Sequence, residues 1–217
     1  MSRKTGAGAK NLQHTMGFQR YETARTWLRK LRHVMIRPGR DRLNGTVEAD
    51  ETFIGGTEED AEGRKTETKT LVVIAVEIEE KKLGGIRFKV VPDASADRLI
   101  PFIKENIRPG SVVITDGRLG YAPLKKENCE HVVKNISQSK QEASELPPHV
   151  HPVASLIRRR LPGTHQGAVS QKYPAGYSDE YAFRFNRRLS IHRGKLFYRL
   201  MRQAVSTTPV SRQEIIS

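Results

Sequence analysis

The first patterned segment of the chain predicts an amphipathic helix. In YETARTWLRKLRHVMI (21–36), apolar residues recur every three or four positions, while arginine and lysine occupy most of the remaining positions. Trp27 widens the apolar stripe, and we therefore expect it to pack in the core. Pro38 and Gly39 then end the helix.

From residue 46 onward, the pattern predicts strands first and then alternating helices and strands. Strands are predicted at 46–54, 70–79, 85–93, 111–116 and 131–136, and helices at 95–107, 121–128, 152–161 and 180–205. Three strands joined by short turns, followed by alternating helix and strand, indicate a mixed sheet covered by helices. The sequence thus predicts an α/β fold with about five strands and a short helical segment at its N-terminal side.

Charge is distributed unevenly along the chain. The formal net charge is +14. Residues 1–45 contribute +9 and residues 151–217 contribute another +9, whereas residues 46–110 contribute −4. Basic flanks favour a polyanionic partner, and nucleic acid is the commonest large one, although charge also serves solubility. The basic helix at 21–36 is therefore either part of a DNA-binding module or a helix that packs on the following domain.

Composition excludes several other classes of protein. The single cysteine, Cys129, excludes an intrachain disulfide and a multi-cysteine zinc site. No apolar run approaches the roughly 18 residues that a membrane span needs, and the basic N-terminus lacks the apolar segment of a signal peptide. We expect a cytosolic protein.

Acidic residues occur where strands are predicted. Asp50 lies within VEADETFIGG and Asp116 ends VVITDG. If these two strands are neighbours at the centre of the sheet, the two carboxylates come together, and a divalent cation would relieve their repulsion. Mg²⁺ and Mn²⁺ prefer such oxygen ligands, and two ions can drive displacement at a phosphodiester. The plain structural alternatives are a solvent-facing strand acid for Asp50 and a turn former before Gly117 for Asp116.

A third ligand is expected at the helix that begins near Pro152. His151 would stand at the start of this helix, 35 residues after Asp116. It could instead be an ordinary helix-start residue, and His149 is a nearby competitor. Of the neighbouring acids, Glu48 shares the strand face of Asp50 and could assist or replace it. Glu51 should point to the opposite face, in a structural or solvent-facing position.

The sequences GTVEADETFIGG, ITDG, LPGTHQGAVS and DEYAFRFNRR together resemble bacterial insertion-sequence transposases of the ISXO-like group, which have an RNase H-like core of the DDE type. The resemblance covers about residues 18–205. It implies an RNase H-like mixed sheet and two Mg²⁺ or Mn²⁺ ions that support cleavage and strand transfer. Asp50 and Asp116 match the first two metal ligands, His151 stands at the third, and Arg158 stands where the family has a basic residue that holds DNA.

The chain departs from the family pattern at several points. Histidine at position 151 supplies a neutral nitrogen and favours softer ions such as Mn²⁺. Pro162, Pro174 and Gly176 fall where the related sequences continue as apolar or helical segments. These are either harmless turn residues or signs of a decaying element copy. The zinc-binding module that precedes the core in this family is not expected with one cysteine, which is consistent with a truncated copy.

These observations predict a DNA transposase that cleaves and joins DNA at insertion-sequence ends. The alternatives are a catalytically inactive DNA-binding remnant and an RNase H-like nuclease without strand transfer. Asp50, Asp116 and His151 are the predicted catalytic and metal-binding residues. The predicted DNA contacts are Arg158, Arg159, Arg160, Arg184, Arg187 and Arg188.

The predicted organisation has three parts. Residues 1–45 form a basic helical segment, 46–205 the catalytic domain and 206–217 a flexible tail. The expected partner is double-stranded DNA, both transposon ends and target. The resemblance further implies a homodimer or larger assembly on DNA, in the bacterial cytoplasm and associated with the nucleoid when bound.

Overall fold

The computed structural model describes residues 8–37, 39–54, 70–80, 82–134, 152–157, 174–192 and 194–216. The strands are β1 Thr46–Ile54, β2 Thr70–Glu79, β3 Lys82–Val91, β4 Val112–Thr115 and β5 Glu130–Val133. The helices are α1 Ala9–Met16, α2 Tyr21–His33, α3 Ala96–Asn106, α4 at 152–157, α5 Pro174–Phe185, α6 Gly194–Ser206 and α7 Arg212–Ile216. A 3₁₀ helix spans Leu119–Lys126.

The five strands form one mixed sheet in the order β3-β2-β1-β4-β5. Strands β1, β2 and β3 pair antiparallel, whereas β4 lies parallel to both β1 and β5. Val47 pairs with Val113, which makes the first and fourth strands direct neighbours. The predicted α/β class, with a five-stranded mixed sheet flanked by helices, is confirmed.

Helices cover both faces of the sheet. Alternate side chains of each strand point to opposite faces and pack in one of two cores. One core contains Val47 and Ala49 from β1 together with Phe102 of α3 and Tyr121 of the 3₁₀ helix. The other contains Ile54, three residues of β2, and apolar residues of α4 and α5. Since successive side chains alternate between faces, β2 is buried on both faces, as its continuous apolar run VVIAV predicts.

Element boundaries differ from the predictions at several points, among them the start of β3 and the helix predicted at 180–205. Strand β3 begins at Lys82, before the predicted residue 85, because the chain reverses at Glu80, which has a left-handed φ of 56°. The helix predicted at 180–205 is two helices, α5 and α6. Helix α5 begins at Pro174, and proline suits a first helical position because the N–H it lacks has no intrahelical partner there.

Helix α2 packs on α5 through an apolar face and one buried ion pair. Ala24 and Leu28 are buried, but Trp27 is 51% exposed, so the expectation that it packs in the core is wrong. Arg32, only 6% exposed, donates from Nε to Glu180 Oε2 at 2.9 Å. The second oxygen of Glu180 accepts from Arg184 at 3.0 Å. One carboxylate therefore joins α2 to α5.

A small third core brings α6 to the same place. It consists of Met35 just after α2, Phe183 of α5 and Leu200 of α6. Directly after α5, the Asn186 side chain pairs with the edge strand: its Oδ1 accepts from Ile86 N at 2.7 Å and its Nδ2 donates to Ile86 O at 3.0 Å. Asn186 thus occupies hydrogen-bonding groups that an edge strand would otherwise expose.

None of the described helices has both the length and the apolar character needed to cross a membrane.

Candidate metal centre

Parallel pairing of β1 and β4 brings three carboxylates together. The ladder pairs Glu48 with Ile114, so continuing it by two residues on each strand sets Asp50 opposite Asp116. One carboxylate oxygen from each of Asp50, Glu51 and Asp116 lies within 4.8 Å of the others. The juxtaposition of Asp50 and Asp116 that the order of elements suggested is present.

Local backbone geometry fixes the two aspartates. Asp50 Oδ1 accepts from the N–H of Glu51 at 2.7 Å, which turns the half-buried carboxylate back along its own strand. Asp116 Oδ1 accepts from Arg118 N at 3.1 Å, across a turn in which Gly117 has a φ of 83°. A left-handed φ of this kind favours glycine. Asp116 is therefore a turn former and a member of the acidic group at once.

The sequence did not predict that Glu51 belongs to the acidic group. It is not solvent-facing: its side chain is 0% exposed, and Arg118 Nη1 lies 3.1 Å from its Oε2. Its neighbours Val47 and Ala49, at the same strand parity, belong to the core under α3. Strand alternation predicts that face correctly. It does not reveal that the longer glutamate side chain and the folded-back Asp50 bring their carboxylate oxygens close together.

Crowded negative charge perturbs the ionisable groups. Burial raises the pKa of Glu51, and Asp50 and Asp116 add to the effect, while Tyr121 and Arg118 oppose it. Burial also raises the pKa of the Tyr121 hydroxyl, with Glu51 contributing. For Arg118, burial lowers the pKa, but the attraction of Glu51 and Asp116 outweighs it, so the net shift is upward. Within the described residues, the three carboxylates carry more negative charge than Arg118 alone can neutralise.

The donor set fits a hard divalent cation. Its members are all carboxylates, the ligands that Mg²⁺ and Mn²⁺ favour. Arg118 bridges two of them, since its Nε donates to Asp116 Oδ2 at 3.0 Å while Nη1 approaches Glu51. Glu48, the other acid considered on β1, is buried but is not one of the three grouped acids in the described part of the chain.

Comparison with known families agrees with this geometry. Residues 42–186 match the family described as ISXO2-like transposase domain. The chain belongs to this family. The match covers β1, β4 and all three grouped acids, and it confirms the resemblance found in the sequence motifs. No curated protein and no solved structure matches the chain.

Part of the predicted site of this transposase domain lies outside the described residues. His149, His151 and the predicted DNA contacts at 158–160 all fall there. What is described is α4, which follows position 151 directly. Its residues Val153 and Ile157 are buried against the sheet face that also carries Ile74.

The predicted DNA-binding arginines around α5 have partners within the transposase domain. Arg184 pairs with Glu180, and Arg187 donates to Phe183 O at 3.0 Å while lying 4.0 Å over the Phe183 ring. Arg188 donates to the carbonyls of Leu83 and Gly84 near the start of β3. These contacts give all three arginines structural roles, and contact with DNA remains a prediction.

Proposed function

We propose that this chain is a metal-dependent DNA transposase that cleaves phosphodiester bonds at insertion-sequence ends and joins the freed 3′-hydroxyl to target DNA. The observation that carries the proposal is the convergence of Asp50 and Asp116 from adjacent parallel strands in a transposase-family domain. Cleavage and joining are both in-line displacements at phosphorus, so one site can serve both.

In this proposal, Asp50 and Asp116 hold the metal, and His151 supplies the third ligand. Two Mg²⁺ or Mn²⁺ ions, when bound, would activate the attacking oxygen and stabilise the leaving oxygen. Glu51 has no exposed side-chain surface and pairs with Arg118, which favours a positioning role over direct coordination. Metal binding at Asp116 Oδ2 has to compete with the Arg118 ion pair at that same oxygen.

The DNA partner follows from the family and the charge. Arg158, Arg159 and Arg160, just after α4, are proposed to hold phosphates beside the metal, with weaker support for Arg184, Arg187 and Arg188. Such contacts position DNA without reading its sequence. Processing two element ends together calls for a homodimer or larger assembly on DNA, located in the bacterial cytoplasm with the nucleoid.

The proposed organisation keeps residues 1–45 as a basic helical segment, 46–205 as the catalytic domain and 206–217 as a tail.

A strand-transfer assay tests the function. DNA carrying the element ends, both intact and pre-cleaved, is incubated with wild type, Asp116→Ala and the control Asp97→Ala in Mg²⁺ or Mn²⁺. Asp97 is an exposed acid in the first turn of α3, so the control removes the same charge elsewhere. Cleaved and joined products from wild type and control, with none from Asp116→Ala and nearly unchanged DNA affinity, are expected.

Two other outcomes would favour the alternatives. Cleavage without joining of pre-cleaved ends would indicate a nuclease. Salt-sensitive DNA binding without cleavage in either metal would indicate an inactive remnant.

The third ligand has a separate test. His151→Glu should preserve or raise Mg²⁺-supported cleavage, because it restores an anionic oxygen ligand. His149→Glu is the matched control, and we expect it to bring no gain. Loss of activity in His151→Glu alone would assign His151 a different role.

A further inference from the structure

A basic cleft lies near the start of β1, whereas the acidic group lies further along this strand. This cleft of about 1420 Å³ is bordered by residues 35–37 and 40–43, the adjoining ends of β2 and β3, the end of α5 and helix α6. Among the described residues, eight arginines and three acids line it, a net charge of +5. Three of the arginines come from residues 37–42, one from β3, two from just after α5 and two from α6. We call this feature the arginine cleft.

The arginine cleft is separate from the metal centre. Leu43, which lines it, precedes Asp50 by seven residues, a span of roughly 23 Å if fully extended. Glu77, also in the lining, pairs with Val47, whereas Asp50 pairs with Ile74 further along the strand. A DNA phosphate bound in this cleft would therefore be a different phosphate from the one that the proposed reaction places beside Asp50.

Two of the three acids in the described lining of the cleft already have partners. Glu77 accepts from Asn44 N at 2.8 Å and from Gly85 N at 3.0 Å, which anchors the chain before β1 to strands β2 and β3. Asp41 pairs with Arg37 at 3.2 Å. Their charge therefore offsets only part of the positive charge around them.

Positive charge in the cleft is crowded. Burial lowers the pKa of Arg187, and Arg199 and Arg37 lower it further by repulsion. Burial with repulsion from Arg40 likewise lowers the pKa of Arg87 to about 10. Repulsion of this kind works against the fold, and an anionic ligand would relieve it.

Three arginines of the cleft are available for a ligand. Arg199 and Arg202 are exposed and lie three residues apart, on one face of α6. Arg42 is exposed in the segment that precedes β1 and also lines the cleft. Within the described part of the chain, none of the three guanidinium groups makes a hydrogen bond or an ion pair. Tyr198, 65% exposed, adds an aromatic ring to the same lining.

We propose that the arginine cleft binds the phosphate backbone of duplex DNA at a site distinct from the metal centre. The choice of DNA over another polyanion rests on the proposed function. Duplex DNA carries about one charge per 1.7 Å of its axis, so a segment crossing the cleft brings several phosphates to it. This site would hold DNA at a distance from the bond being cut.

Salt-dependent DNA binding tests the proposal. Fluorescence anisotropy with a labelled duplex is measured over a range of salt for wild type, Arg199→Gln/Arg202→Gln and Arg42→Gln. The slope of log K against log salt should become shallower by roughly 0.9 for each lost phosphate contact, about 2 for the double variant. The affinity of the double variant should fall by about tenfold at moderate salt.

The matched control is Arg98→Gln/Arg108→Gln. It removes two exposed arginines that lie outside the cleft and therefore causes the same change in net charge. Circular dichroism checks that all variants are folded, and Arg42→Gln keeps the test valid if the α6 variant is not. An unchanged slope in both cleft variants, or an equal loss in the control, would overturn the proposal. A competition experiment gives a third contradicting result. If unlabelled polyglutamate displaces the labelled duplex as effectively as unlabelled DNA of equal charge, the cleft does not prefer DNA and the proposal is wrong.

The two proposals fail separately. Metal-dependent cleavage with unchanged salt slopes in the cleft variants would remove the cleft proposal and leave the transposase proposal intact. Shallower salt slopes in the cleft variants, with no cleavage in any metal, would remove the transposase proposal and leave the cleft proposal intact.

Discussion

Arg118 and a divalent cation are expected to compete for the same carboxylates. Its Nε lies 3.0 Å from Asp116 Oδ2 and its Nη1 lies 3.1 Å from Glu51 Oε2. Arg118→Met keeps most of the apolar stem of the side chain and removes the charge. We expect this variant to bind Mn²⁺ more tightly than wild type.

The magnitude follows from exposure of the guanidinium group. The Arg118 side chain is 52% exposed, so the dielectric constant of water applies. Two unit charges at 3 Å then attract by about 1.4 kcal/mol, and exposed pairs have net values between about 0 and 1. Releasing Asp116 should therefore improve Mn²⁺ binding by at most about 1.4 kcal/mol, which is a dissociation constant up to roughly 10-fold lower.

Isothermal titration with Mn²⁺ measures this change directly. Arg108→Met is the matched control, because Arg108 is exposed and lies outside the acidic group. Asp116→Asn should lose most of the binding, which shows that the heat comes from this site. If Arg118→Met binds Mn²⁺ no more tightly than wild type, or if Arg108→Met gains as much, the competition argument is wrong.

Three further predictions concern stability, and urea unfolding measures each. Glu180→Gln should lower the free energy of unfolding by about 3–5 kcal/mol, because it leaves Arg32 charged and buried; fluorescence of Trp27, the single tryptophan, reports on α2 in particular. Burial raises the pKa of Asp179 to about 6 from 3.8. Between these two values the unfolded chain ionises this carboxyl while the folded protein keeps it protonated, so stability falls as pH rises from 3.8 to about 6 and stays reduced above that. Asp179→Asn should therefore be more stable than wild type by about 1–3 kcal/mol at pH 7.5, and no more stable below pH 3.8. Asn186→Ala should cost about 2–3 kcal/mol, because it removes both hydrogen bonds to the edge strand.

Each of these predictions has a result that would contradict it. The Glu180→Gln prediction is wrong if the free energy of unfolding stays within about 0.5 kcal/mol of wild type, which is the range of ordinary surface changes. For the aspartate variant, it is a stability difference from wild type that does not change between pH 4 and pH 7.5. For the asparagine variant, it is a loss no larger than that of Ser190→Ala, a control in the turn that follows.

The sequence predicted the parts of this molecule that depend on local pattern. Runs such as VVIAV identified strands, and the order of elements allowed the first and fourth strands to be neighbours, as the structure has them. Glu51 was missed because strand periodicity assigns a face but gives neither side-chain reach nor the turn of Asp50 toward its own backbone.

Long-range partners were not visible in the sequence. Arg32 follows Leu28 by one helical turn and therefore lies on the buried face of α2, but its partner Glu180 is 148 residues away. The pairing of the Asn186 side chain with Ile86 is likewise a contact across a separation of 100 residues.

The shared carboxylate of Glu180 bears on how this protein can be divided for experiments. The family match begins at residue 42 and ends at residue 186. Arg32 and Met35 lie before its start, and Leu200 lies after its end. A recombinant fragment cut at the limits of the match would lose the α2 partner of a buried acid and two of the three residues in the third core. The boundaries of sequence similarity are therefore not the boundaries of cooperative folding, and a stable expression fragment has to extend from α2 through α6.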